Sequence, residues 1–445
     1  MFSNLLLGGT FLRVKKLRII IFLLFLIIPL NANESERTWN CYLTTIGPGD
    51  PLYIWFGHTG LILENTQSER AVFYDFGNFS FKSDHFYRNF AMGRLIYFSV
   101  GVSAKAYLNY IVSENRDVTI QTLNLSEESV AEMAEYLNWK VQKGNNTYLY
   151  HHYLDNCSTR IRDLIDKACD GQLKKASDYS AGTSFRESYR RYSYHSWWPD
   201  WLLSFLQGQT IDEDISYWDT MFLPEELMKQ VADLQIETPR GMEPLVLETE
   251  YRIRSEGRPA TPEKAPSNIR QAFINGLIAG ILLVLLQWAA LKKRNSIRIT
   301  SRIILTVVLL IFSIIGGLLY FMIFFTNHSV TNQNLNIALF HPFYLFLLFL
   351  FPKKNILRRK KLIISFWQIQ ATLFATIVLI GMIPAYHQGN ERTVFVFLPL
   401  LLLQITALPL LIRRQITGEG QSYGLLNRAI SLKHGQDDQD EPSQI

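Results

Sequence analysis

The residue types and spacings most able to do chemistry centre on Cys157. Asp155-Asn156-Cys157 runs directly into a segment where Ile161, Leu164, Ile165 and Ala168 recur at helical spacing, with Gly171 as the stop. Cys157 therefore falls just inside the start of a helix. Free N–H groups and the positive end of the helix dipole favour a thiolate there. The same groups can stabilise an oxyanion on an acyl group attached to the sulfur. A lone Cys before a helix is also a common small buried hydrophobe. His58 changes the balance. It lies in Trp55-Phe56-Gly57-His58-Thr59-Gly60, where the glycines allow another chain to approach closely. An imidazole that takes the proton, with a helix end that holds the charge, is the arrangement that activates a thiol. A third group should accept the other imidazole N–H. Asp75, in Phe73-Tyr74-Asp75-Phe76-Gly77-Asn78, is the candidate, with Asn78 behind it. On the residues alone, His58 as a core histidine and Asp75 as a turn acceptor stand as the bland alternative.

These side chains need a scaffold, and the front of the chain reads as strands. Residues 41–46, 53–56, 59–64 and 71–76 are β-prone, with the Gly47-Pro48-Gly49-Asp50-Pro51 turn cluster between the first two. Ser126 reads as an N-cap, with Glu127 and Glu128 in the first turn and Val130, Met133, Leu137 and Val141 at helical spacing. Residues 148–154 read as extended and aromatic. The domain is expected to span residues 33–237. A polar linker follows over 238–271, where Pro259, Pro262 and Pro266 sit among charges.

The composition of the 445 residues is 48% hydrophobic and 19% charged, with a net charge of +5. This excludes disorder and collagen, and three cysteines exclude a disulfide scaffold. Arg13, Lys15, Lys16 and Arg18 precede a 12-residue apolar run and then small residues, so residues 1–32 are expected to be a cleaved signal peptide. Five uncharged segments of 18 to 23 residues follow the linker, at 272–291, 303–325, 335–352, 362–383 and 394–412. Each is long enough for a bilayer core of roughly 30 Å, and the third, which contains Pro342, is the shortest. Lys and Arg crowd the first and third loops and the start of the 413–445 tail, whereas the second loop has none. By the positive-inside rule those basic loops and the tail are cytoplasmic, and everything before Ala272 lies outside. Most of the basic excess is thereby assigned to membrane topology, which leaves no case for nucleic acid. No paired ligand spacing points to a metal, and no phosphate or dinucleotide fingerprint points to a cofactor. Cys41 and Cys169 are readable as a disulfide or as free buried thiols.

The motifs Trp55–Thr59, Phe73–Phe79 and Tyr150–Asp163 resemble the Lnb family, bacterial lipoprotein N-acyltransferases, as do Met221-Phe222-Leu223-Pro224 and Asn334-Leu335-Asn336. The domain also resembles permuted papain-like proteins of the lecithin:retinol acyltransferase group, in which a strand His precedes an Asn-Cys at a helix start. The resemblance implies an α+β protein: a permuted papain-like cysteine acyltransferase domain followed by an all-α bundle of about five transmembrane helices. It implies Cys157 as nucleophile, His58 as general base and Asp75 as third member, with Asn156 and Arg160 as substrate-binding candidates. An ion pair of Arg160 with a helix carboxylate is an equal alternative. The implied partners are a membrane phospholipid as acyl donor and a diacylated lipoprotein as acceptor. The implied place is the inner membrane, multi-pass, with the catalytic domain periplasmic. This sequence departs from the family pattern near Thr44–Gly47, where a Cys is expected before the turn and Cys41 lies earlier. A cysteine peptidase or amidase on cell-wall peptides could use the same thiol and base, since fold does not fix function. A non-catalytic membrane sensor is the third reading.

Overall fold

The computed structural model describes residues 38–290, 295–346 and 356–413. The expected signal peptide, most of the tail and the last third of the third expected span lie outside the described residues.

An antiparallel seven-stranded sheet builds the first domain. Its strands are β1 (Trp39–Ile46), β2 (His58–Asn65), β3 (Arg70–Asn78), β4 (Ile96–Ser103), β5 (Val118–Leu123), β6 (Thr147–Leu149) and β11 (Val246–Ile253), in the order β11-β5-β1-β2-β3-β4-β6. Period-2 alternation sorts their side chains onto two faces. Cys41, Leu43, Leu61, Leu63, Tyr74 and Phe76 enter one core; Ile46, Ile62, Phe73, Val118 and Ile120 enter the other. Between β3 and β4 lies α1 (Phe86–Ala91), and α2 (Ala104–Ser113) packs Ala104 and Ile111 into the smaller core. The larger core is closed by α3 (Glu127–Lys140), α4 (Cys157–Ala168) and, after α5 (Trp197–Leu206), by α6 (Pro224–Asp233). Ser126 caps α3 by accepting from the Ser129 N–H, as its sequence position indicates.

One boundary of the sequence reading is corrected here, and one expected span gains local detail. The expected linker begins as sheet: residues 235–238 and 241–244 form the β9–β10 hairpin, and β11 pairs along β5. The expected third span starts with two short 3-10 turns, Leu335–Ala338 and Pro342–Leu345. Asn334 caps the first by accepting from the Asn336 N–H, and Pro342 withholds an N–H from any continuous helix.

Four helices among the described residues are long and apolar enough to cross a membrane: α7 (Ile269–Ala290), α8 (Asn295–Phe325), α9 (Ile356–Gly381) and α10 (Glu391–Arg413). The protein is thus α+β, a sheet-rich domain followed by a helical region. The two are clamped together. The Asn334 and Asn336 amides both donate to the Phe205 carbonyl at the end of α5, at 2.9 and 3.0 Å. The Gly208 N–H donates to the Val330 carbonyl at 2.8 Å. Arg392 of α10 pairs with fully buried Asp200 of α5 and donates to Ser204 Oγ at 2.6 Å. Phe205 buries its ring against Phe340 in the helical core.

Candidate active site

The site gathers where β2 begins, β3 kinks and α4 begins. His58 is the first residue of β2, and α4 packs on β2 and β3. The β3–β4 pairing slips between Asp75 and Asn78. Such a bulge re-aims nearby side chains. The His58 Nε2–H donates to Asp75 Oδ1 at 2.8 Å, and the Gly77 N–H donates to the same oxygen at 2.7 Å. Both side chains are largely enclosed, at 14% and 6% exposure. A Cβ at Gly77 would stand 2.5 Å from His58 Cε1, so only glycine leaves the imidazole its place.

Cys157 is the first helical residue of α4 and is buried. Its sulfur lies close enough to His58 to act on the charge of the imidazole. Nε2 is already committed to Asp75, so the nitrogen left for sulfur is Nδ1. Burial alone would push the imidazole down. The charges of Asp75 and of the Cys157 thiolate outweigh it and push His58 up to about 10. Burial pushes Asp75 up, but the His58 charge and the Gly77 N–H hold it below the usual carboxylate value. A protonated imidazole backed by a carboxylate is therefore the favoured state of the His58–Asp75 pair. With the Cys157 sulfur it can act as nucleophile and acid–base pair in acyl transfer. By contrast, Cys41 and Cys169 are free thiols in the larger core, and burial pushes Cys41 up to about 12.

Asn156 builds the helix end. Its Oδ1 accepts from the Ser158 and Thr159 N–H groups at 2.8 and 2.9 Å. Its amide donates to the His152 and Phe222 carbonyls at 2.8 and 2.9 Å. Every strong bond that side chain can make points into the protein. Two of the orphan N–H groups of α4 are consumed in this way. Arg160 forks onto Asp155 at 2.6 and 2.8 Å, and its guanidinium lies 3.8 Å from the Tyr148 ring centroid. The sequence alternatives for its ion pair were carboxylates further along the helix; the observed partner precedes it. The structure thus brings His58, Asp75 and Cys157 together and places Asn156 and Arg160 as supports around them.

Residues 36–192 match the family model described as the Lnb N-terminal periplasmic domain, and residues 268–416 match the Lnb transmembrane domain. The chain belongs to the Lnb family. No curated protein and no solved structure matches it. In this Lnb-family chain the three site residues all fall in the periplasmic match, and Arg392, Asn334 and Asn336 of the clamp fall in the transmembrane match. The protein is a membrane protein with a periplasmic region.

The residue-level reading missed an aromatic wall. Burial first and Cys157 next push Tyr97 of β4 up to about 12, and the same two causes raise Tyr148 of β6 and Tyr150. Tyr97 and Tyr150 stack with centroids 4.1 Å apart. The aromatic run at 148–154 was the available signal for two of them. Tyr97 carries none, because a single Tyr in a strand is unremarkable. Gly77 stood inside a recognised motif, but its role depends on a contact that only the fold creates.

Proposed function

We propose that this chain is a thiol-dependent lipoprotein N-acyltransferase of the bacterial inner membrane. The observation that carries the reading is the helix-start thiol of Cys157, beside an imidazole that Asp75 orients, in a domain clamped onto membrane helices. The thiolate attacks the carbonyl carbon of a phospholipid acyl ester. The new C–S bond pushes the carbonyl electrons onto oxygen, and the Cys157 N–H at the positive end of α4 stabilises that oxyanion. Collapse breaks the acyl C–O bond, and the His58 Nδ1 proton passes to the leaving oxygen. The products are a Cys157 acyl-thioester and a lysophospholipid. The free α-amine of a diacylglyceryl-cysteine then attacks the thioester. Neutral His58 takes the amine proton, the C–S bond breaks, and the thiolate–imidazolium pair is restored beside a new amide. Both substrates are lipids of one membrane face, and holding the domain against that face raises their effective concentration.

The test is mass spectrometry of lipoprotein N-termini from cells lacking native N-acylation. The cells express this protein or its Cys157→Ala variant at matched levels. A third acyl chain on the α-amine with the parent only is the expected result. Diacyl N-termini with both, while the parent is folded and in the membrane, would remove the reading. Wall peptides would then be the substrates to try, on the peptidase alternative.

A further inference from the structure

Four of the six residues of helix α1 are aromatic or apolar, yet it buries none of them. Its sequence is Phe86-Tyr87-Arg88-Asn89-Phe90-Ala91. Tyr87 is 73% exposed and Phe90 53%; beside them Phe81 stands at 55%, and Tyr53 at 60%. A contiguous exposed aromatic surface marks a place where something apolar sits.

The level of α1 relative to the membrane helices identifies that occupant. The Asn327 N–H donates to the Met92 carbonyl, one residue past α1, at 2.9 Å. A Cβ at Gly93 would stand 2.6 Å from the His328 nitrogen. Asn327 and His328 immediately follow α8, whose last residues Phe324 and Phe325 are themselves exposed. The surface is therefore continuous with the periplasmic end of a membrane-spanning helix, at the depth where aromatic side chains concentrate in bilayers. Arg88 on the same helix is suited to anionic headgroups.

The rings also continue inward. Phe86 lies 6.0 Å from Phe79, Phe79 lies 5.1 Å from Tyr97, and Tyr97 stacks on Tyr150 beside Cys157. Tyr53, just before the His58 turn, packs edge-on against Phe79 from the other side. A series of rings thus runs from the exposed surface to Tyr150, whose titration Cys157 influences.

We propose that α1 and its flanking residues 79–93 lie in the periplasmic leaflet of the bilayer as an apolar flap, and that the Phe79–Tyr97–Tyr150 series is the wall along which an acyl chain passes from the leaflet to Cys157. The second half rests on the acyltransferase reading; the first does not.

The test uses the full-length protein in liposomes of phosphatidylethanolamine and phosphatidylglycerol. In a Cys157→Ala background, Tyr87→Cys is labelled with bimane, the two remaining native cysteines being buried. Nitroxide carried at carbon 5 of the lipid acyl chain should quench the label at least about twofold more than aqueous iodide does, as expected for a ring buried roughly 5–10 Å into the boundary. Dominant iodide quenching would overturn the flap, and so would quenching by neither, which would mean a protein cover. In the Cys157 parent, Tyr87→Asp/Phe90→Asp should slow acyl loading of Cys157 roughly tenfold, since each acidic group near the interface costs about a factor of a few. Iodoacetamide alkylation of Cys157 should stay within about twofold of the parent, which shows the site intact. Unchanged acyl loading would overturn the route. A parent that takes up no acyl chain while its flap is quenched by lipid would remove the acyltransferase reading and leave the flap standing.

Discussion

Asp75→Asn separates the carboxylate's charge from its shape. The amide keeps the size of Asp75 and can still accept the Nε2–H at 2.8 Å, but it removes the negative charge that holds His58 protonated. At a charge separation of about 4 Å and an effective dielectric of about 20, that charge contributes about 4 kcal/mol. At 1.36 kcal/mol per pH unit this moves the imidazole midpoint down by roughly three pH units. We expect it to fall from about 10 towards 7. The assay is a pH titration of Cε1-labelled histidine by NMR in detergent micelles, with the His58 signal assigned by its loss in His58→Gln. The direction follows from linkage. A group whose midpoint is raised on folding stabilises the fold fully below its unfolded value near 6.5, and this is lost as the pH rises through about 10. The parent should therefore lose stability across that upper window, whereas the variant should lose little there. Acyl transfer should fall on the order of 100-fold or more in the variant, because proton transfer contributes about 10²–10⁴. A midpoint within one pH unit of the parent would refute the assignment of Asp75 as the group that keeps His58 charged.

Three further outcomes follow from single contacts. Gly77→Ala should displace the imidazole and lower acyl transfer at least about tenfold, while the melting temperature falls only by the amount that about 1–3 kcal/mol of overpacking implies; equal activity would mean the ring tolerates the methyl group. Asn156→Ala removes a cap and strands the buried Phe222 carbonyl and the part-buried His152 carbonyl, so thermal or chemical unfolding should show a loss of about 2–4 kcal/mol. A smaller loss in activity than in stability would mark that residue as a support. Arg392→Met leaves Asp200 buried with weaker partners, and we expect a loss approaching about 3 kcal/mol, with earlier protease cleavage of the 207–215 segment as α5 loosens from the membrane helices.

Much of the site was legible in the sequence because its signals are local. Asn156 followed by Cys157 and a 3.6-residue apolar period specifies a capped helix start, and His58 ahead of an alternating run specifies a strand end. Their meeting is a consequence of antiparallel β2–β3 pairing, which places Gly60 opposite Asp75. What the sequence hid was non-local. β11 is exposed along most of its length and carries Glu248, Glu250 and Arg252, so its composition resembles a linker; only its pairing with β5 makes it a strand. Residues 335–345 are apolar enough to resemble a span. Their backbone is instead shaped by Asn334, Asn336 and Pro342, and the two Asn amides serve a carbonyl more than 120 residues earlier. Tyr53–Phe56 resembled a strand and folds as a tight turn, Leu52–Ile54, because Gly49 and Gly57 bracket it: the Gly49 and Gly57 N–H groups both donate to the Ile54 carbonyl.

The clamp between α5 and the loops of the helical region reaches beyond stability. Asp200, Phe205 and Gly208 hold the sheet domain to residues 330–336 and 392 through backbone, charge and ring contacts at once. A domain held at so many points cannot bob on a tether. On the acyltransferase reading, the sulfur of Cys157 then stays at one altitude above the bilayer midplane, and lipids diffuse past it in two dimensions. Which bond is offered to the sulfur then becomes a matter of depth: a carbonyl that rides at the height of Cys157 is presented on every encounter, and one that rides deeper or shallower is passed over, whatever headgroup it carries.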